Sequence, residues 1–162
     1  MRFYQQQHEF YCGVDLHART MYVCVVDADG RTREHVNLPC DPGRFLSLIK
    51  PYRNQVVVSC ECLFAWYWLA DLCRNEQITF VLGHALYMKA THGGKAKSDK
   101  IDSEKIARLL RGGMLPQAYV YPPEMRATRD LLRRRMKLVV ELGVNARVVR
   151  GILRCGLFAQ AV

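Results

Sequence analysis

FYCGVDLHARTMYVCVVDADGRTREHVNL, residues 10–38, decides the fold. It holds two short apolar runs, residues 10–16 and 21–26, each of a length suited to a buried strand. Asp27-Ala28-Asp29-Gly30 follows the second run, and an Asp-Gly pair is a strong hairpin signal, so residues 32–38 are expected to return as a third strand. Three strands joined by loops this short should be antiparallel. Asp15 is the one acid in the first run. Burying an unpaired carboxylate is costly, so Asp15 belongs either at a solvent end of its strand or beside a cation.

Moving outward, Asp41-Pro42-Gly43 opens a short helical pattern over residues 44–51. Residues 55–60 read as a fourth strand that delivers Glu61 at its end, residues 63–74 as a packed helix, and residues 78–82 as a fifth strand. Trp66, Tyr67 and Trp68 are read as core rather than as a platform for stacked bases. Residues 84–91 suggest a helical turn that His92-Gly93-Gly94 breaks. Then comes KAKSDKIDSEKIARLL, residues 95–110, with Ser98 as N-cap. Asp99 and Asp102, three apart, would have Cβ atoms roughly 5–6 Å from each other on one helix face. Lys95, Lys97, Lys100 and Lys105 surround them. This is either a solvated helix start, where the helix dipole favours acids, or half of a metal site. Gly112-Gly113 ends the helix, and residues 119–123 form an extended connector.

The 162 residues, 50% of them hydrophobic, suffice for one domain with a real core and a short appendage. No run is long enough to span a membrane and the amino terminus is not a signal peptide, so a soluble, cytoplasmic protein is expected. Seven cysteines without CxxC pairs suggest reduced thiols, with Cys60 and Cys62 as small buried hydrophobes rather than zinc ligands. His84 and His92 lack metal-ligand spacing. His17 would share Asp15's face if the strand continued. Against the net charge of +9, residues 1–88 contribute −1, with eight basic and nine acidic groups, so the positive charge sits in the second half. A near-neutral body with a basic arm points to a polyanion, most often nucleic acid. From Glu124 onward Thr128, Leu132, Arg135, Val139, Leu142, Ala146, Val149 and Leu153 follow alternating spacings of four and three, a coiled-coil-like seam. Arg129, Arg133, Arg134 and Lys137 fall outside it, available to phosphates, and an exposed seam would want a partner helix.

Asp15, Glu61, Asp99 and Asp102 thus stand as four acids, two at strand ends and two at a helix start. Three antiparallel strands, a helix and a further strand carrying the second acid resemble the order of a ribonuclease-H-like sheet: α/β, mixed, five-stranded, with flanking helices. In it the first and fourth strands are neighbours, which would bring Asp15 and Glu61 together. Such a carboxylate cluster suits Mg²⁺ or Mn²⁺.

The ordered set Gly13-Val14-Asp15-Leu16, Val58-Ser59-Cys60-Glu61 and Lys97-Ser98-Asp99-Lys100-Ile101-Asp102-Ser103, with Ile106-Ala107 after it, resembles the amino-terminal RuvC-like DEDD domain of insertion-sequence transposases of the IS-one-ten family, which is related to a pilin-gene DNA invertase. Cys62-Leu63-Phe64 replaces that family's usual Thr-Gly after the glutamate. The resemblance implies a DNA recombinase whose four acids bind Mg²⁺, guided by a structured RNA made by the element. It also implies a carboxyl-terminal domain with a nucleophilic serine, which this sequence does not carry, so the chain is expected to be a fragment or truncated product unable to complete strand exchange. The expected organisation is a RuvC-like domain over residues 1–122 and a basic, coiled-coil-like helical segment over 123–162 that mediates homo-oligomerisation. Two other readings remain open at this level: a nucleic-acid-binding and assembly module inactive alone, and a self-sufficient Holliday-junction or ribonuclease-H-type nuclease.

Overall fold

The computed structural model describes residues 2–63, 65–91 and 98–158, with side chains not described at 89–91 and 145–158. The chain forms two compact units, Met1–Val120 and Tyr121–Val162. In the first, β1 (Phe10–Leu16), β2 (Thr20–Asp27) and β3 (Thr32–Pro39) form an antiparallel meander. A helix α1 (Pro42–Ile49) leads through a 3-10 turn to β4 (Val56–Glu61), which pairs parallel to β1. Helix α2 (Tyr67–Asn75) returns the chain to β5 (Thr79–Gly83), parallel to β4. The sheet order is β3-β2-β1-β4-β5, the mixed, ribonuclease-H-like arrangement expected from the sequence.

Local chemistry explains the elements. Asp41 caps α1 by accepting from the Arg44 backbone N–H at 2.8 Å. The β2–β3 turn uses Asp29-Gly30 differently from a two-residue hairpin. The Gly30 N–H donates to the Asp27 carbonyl, Asp27 N–H donates to the Arg31 carbonyl, and Gly30 takes φ of +87°. Glycine therefore occupies the left-handed position that follows a turn, and the strand register slips between Val25 and Val26. Helix α2 begins later than the residue pattern predicts. The Cys62 N–H is committed to the Gly83 carbonyl and the Leu63 N–H to that of Glu61, both at 2.8 Å, so the chain turns before it coils. Trp66, just before α2, is 1% exposed and belongs to the core, as expected. Cys12, Cys24, Cys60 and Cys73 are buried free thiols, and burial pushes Cys73 up to about 12.

After α3 (Ala85–Thr91), helix α4 (Asp99–Arg111) lies across β1 and β2. Ser98 caps it by accepting from the Ile101 N–H. Its buried side chains include Ile106, Leu109 and Leu110, each at most 2% exposed and together contributing about 5–9 kcal/mol of burial before ordering entropy is counted. The helix comes so close to β1 that a Cβ on Gly13 would lie 2.2 Å from the Ser103 carbonyl oxygen and 2.4 Å from the Ala107 nitrogen. Only glycine fits there. The first acid of the site is two residues further along the same strand.

The second unit is dominated by α5 (Pro123–Phe158). Its exposed apolar side chains lie on the expected seam at Leu132, Val139 and Leu142 and off it at Leu131, Met136, Leu138 and Val140. The apolar surface is therefore broader than one stripe. The seam positions Ala146, Val149 and Leu153 fall outside the described side chains. No described helix is long and apolar enough to cross a membrane.

Candidate metal centre

Asp15 is the next-to-last residue of β1, with 12% of its side chain exposed. The parallel register sets Gly13 beside Ser59 and Val14 beside Cys60, so Asp15 and Glu61 follow one step later on neighbouring strands. Side chains alternate along a strand, which puts Asp15 and Glu61 on the face where Gly13 meets α4. Glu61 is half-buried there. Asp99 and Asp102 occupy the first turn of α4. The close seat of α4 on Gly13 thus joins acids from distant parts of the chain.

His17 lies between two of them. Its Nε2 is 3.3 Å from Asp15 Oδ2 and 3.4 Å from Asp99 Oδ1. One ligand atom from each of Asp15, His17 and Asp99 falls within 4.8 Å of the others. Asp102 joins through charge. Burial is the main reason that the Asp15 carboxyl is held above its ordinary range, the Asp99 and Asp102 charges push the same way, and His17 pulls against them. Asp102 Oδ1 accepts from Lys105 Nζ at 3.2 Å, which offsets part of its own charge. Asp15, His17 and Asp99 are therefore the groups brought within reach of one ion, with Asp102 felt at Asp15 through its charge and Glu61 placed one strand away by register. Two carboxylates with an imidazole are a donor set that suits a divalent cation.

A second histidine, on β3, sets the position of α4. His35 Nε2 lies 2.9 Å from the Lys100 carbonyl oxygen, which can only accept, so that nitrogen carries the hydrogen. The Ser103 hydroxyl donates to the same carbonyl at 2.9 Å, and Tyr22 meets the His35 ring edge-on. The sequence reading did not single out His35. The signal was the strand register, because Gly13 pairs with Cys24 and Cys24 with His35, which puts all three on the face of α4.

Of the residues predicted to touch phosphate, Lys100, Arg133, Arg134 and Lys137 are exposed. Arg129 is committed closer to home: its side chain is 11% exposed, pairs with Asp130 at 3.0 Å and stacks over the Tyr121 ring. Lys95 and Lys97, like His92, lie outside the described residues.

A protein-family model for DEDD transposases of the IS110 type, described as Transposase, matches residues 12–155. No curated protein matches the chain. Among solved structures it is similar to the large terminase nuclease from thermophilic phage G20c, a structure with bound zinc, at a TM-score of 0.40 and 16% identity, over 71% of this chain and 66% of that one. The chain therefore spans just under two thirds of that nuclease. The match over residues 12–155 takes in all four acids in their expected order, and the chain belongs to the IS110-type DEDD transposase family.

Proposed function

We propose that the chain provides the metal-dependent phosphodiester chemistry of DNA transposition, with Asp15, Glu61, Asp99 and Asp102 holding Mg²⁺ or Mn²⁺. The observation that carries this reading is the convergence on Asp15. A largely buried carboxylate at a strand end meets Asp99 through His17 and feels the charge of Asp102, both from a helix some eighty residues later. A divalent ion in that place would polarise a phosphate and activate an attacking oxygen. The protein's own part is to hold the carboxylates in one place, through the Gly13 seat and the His35 bond to α4. Exposed Lys100, Arg133, Arg134 and Lys137 would bind the DNA phosphates, in a cytoplasmic setting where both DNA and a structured guide RNA are available.

The alternative, an assembly module that cleaves nothing by itself, is favoured by one observation: the exposed apolar side chains of α5, Leu131, Leu132 and Leu142 among them, suit a homo-oligomer. One experiment separates the readings. Mg²⁺ and Mn²⁺ are titrated calorimetrically into the wild type, Asp15→Asn and Asp102→Asn, with a plasmid-nicking assay on the same samples. Binding lost in both variants together with metal-dependent nicking supports the catalytic reading. Binding without nicking leaves the assembly module, and no binding by the wild type refutes the shared carboxylate site.

A further inference from the structure

We propose that His17 is a nitrogen ligand of this centre and sets its cation preference, drawing it toward transition-metal ions such as Mn²⁺ and Co²⁺ and away from Mg²⁺. The proposal rests on the reading that the carboxylates bind a divalent cation, and goes beyond it by adding a fifth, chemically different donor.

Distance separates a ligand from a placeholder. An imidazolium standing in for the cation would form charge-assisted bonds to both carboxylates at about 2.7–2.9 Å. The Nε2 atom is instead 3.3 and 3.4 Å from the Asp15 and Asp99 oxygens. Neighbouring donors around one ion, with bonds of roughly 2.0–2.2 Å, stand about 2.8–3.1 Å apart in octahedral and about 3.3–3.6 Å apart in tetrahedral geometry. The nitrogen therefore occupies the position of a third donor beside two oxygens. It is also held there. The His17 backbone N–H donates to the Thr20 carbonyl at 2.9 Å within the tight β1–β2 turn, and its carbonyl accepts from Cys40 Sγ at 3.2 Å, so the backbone from which the ring projects is anchored at both of its polar groups. With 47% of its side chain exposed, the ring leaves a solvent path for an ion to enter.

The chemical consequence follows from donor type. Mg²⁺ prefers oxygen ligands and gives up its water reluctantly, whereas imidazole nitrogen binds transition-metal ions increasingly well along the series from manganese to copper. A site with only carboxylates follows the same order with a smaller spread, and the His17 nitrogen widens it.

The test titrates Mn²⁺, Co²⁺ and Mg²⁺ into the wild type, His17→Ala and Asp15→Asn, and records pulsed EPR of the Mn²⁺-loaded wild type and His17→Ala. The expected result is a loss of Mn²⁺ and Co²⁺ affinity of about tenfold or more in His17→Ala, with Mg²⁺ affinity changed by less than about threefold, because a lost ligand costs at least what a lost supporting contact does. Nitrogen modulation should appear in the wild-type EPR and vanish in the variant. Equal loss for all three ions, tighter binding in His17→Ala, or a wild-type spectrum without nitrogen modulation overturns the proposal while leaving the carboxylate site intact. If the wild type binds none of the ions, the parent reading fails and this one with it. Thermal unfolding of His17→Ala checks that a half-exposed ring has been removed without loss of the fold.

Discussion

Replacing Gly13 with alanine should do more damage than the same change at any other described glycine. The added Cβ would stand 2.2 Å from the Ser103 oxygen, 2.4 Å from the Ala107 nitrogen and 3.0 Å from the Ile106 Cβ. The two nearest atoms are helix backbone, so no rotamer change relieves the clash, and α4 must retreat by about 1 Å to restore ordinary carbon–oxygen contact. Overpacking of this kind costs typically 1–3 kcal/mol, and backbone against backbone belongs at the upper end, about 3 kcal/mol. For a unit of this size that corresponds to a Tm lower by roughly 10 °C. Gly83→Ala provides the control: there the nearest atom is the Met88 Sδ at 2.7 Å, the far end of a flexible side chain, and the cost should be about 1 kcal/mol. Urea unfolding followed by circular dichroism gives both values. Because α4 carries Asp99 and Asp102, the same shift should weaken Mn²⁺ binding in Gly13→Ala and spare it in Gly83→Ala. If Gly13→Ala unfolds within about 1 kcal/mol of the wild type, or no more easily than Gly83→Ala, then α4 does not sit on β1 as described.

Three further outcomes are expected. The Asp15 carboxyl is held above its ordinary range, by burial first and by Asp99 and Asp102 next, with His17 opposing. The folded state therefore binds its proton more tightly than the unfolded chain does, and the stability this contributes at acid pH is lost as pH rises through the elevated value. In chelator, Asp15→Asn should accordingly raise the Tm at pH 7, with the gain shrinking toward about pH 4, where the unfolded carboxyl titrates; a lower Tm at pH 7 refutes the assignment. His35→Ala removes the 2.9 Å bond to the Lys100 carbonyl and should cost about 0.5–1.5 kcal/mol, with faster hydrogen exchange in the first turn of α4 that His35→Gln partly restores. DNA affinity should fall with salt, and Arg133→Ala combined with Arg134→Ala should reduce the log–log slope by about 2, two phosphate contacts' worth; an unchanged slope would remove both arginines from the interface.

Four of the strands were legible as short apolar runs and the polar β3 from the Asp-Gly turn signal before it, and β1 was read to its observed ends, Phe10–Leu16. The neighbouring positions of Asp15 and Glu61 were legible for a related reason. A carboxylate at the end of an apolar run is a local anomaly, and the strand order then places Asp15 beside Glu61 without knowledge of any side-chain contact. The late start of α2 was not legible, because the bonds from Cys62 to Gly83 and from Leu63 to Glu61 override helical propensity through a partner more than twenty residues away in one case. His17 was legible as a neighbour of Asp15, whereas His35 was hidden by a different limit. A histidine in a turn or on an edge strand is unexceptional, and its meaning comes from what the register puts opposite it.

Gly13 connects these two kinds of residue. It was visible as part of a motif, but the motif does not say why the position must be glycine. The reason is the path of α4, whose backbone passes where a Cβ would be. That approach lets His35 reach the Lys100 carbonyl from β3 and brings Asp99 to His17 from the other side. In the proposed centre the acids supply the chemistry, and the close approach at Gly13 lets α4 carry Asp99 to within 3.4 Å of His17. A family member with the four acids intact and a bulkier residue at the position of Gly13 should therefore need a compensating change in α4, at Ser103 or Ala107, to keep the same centre.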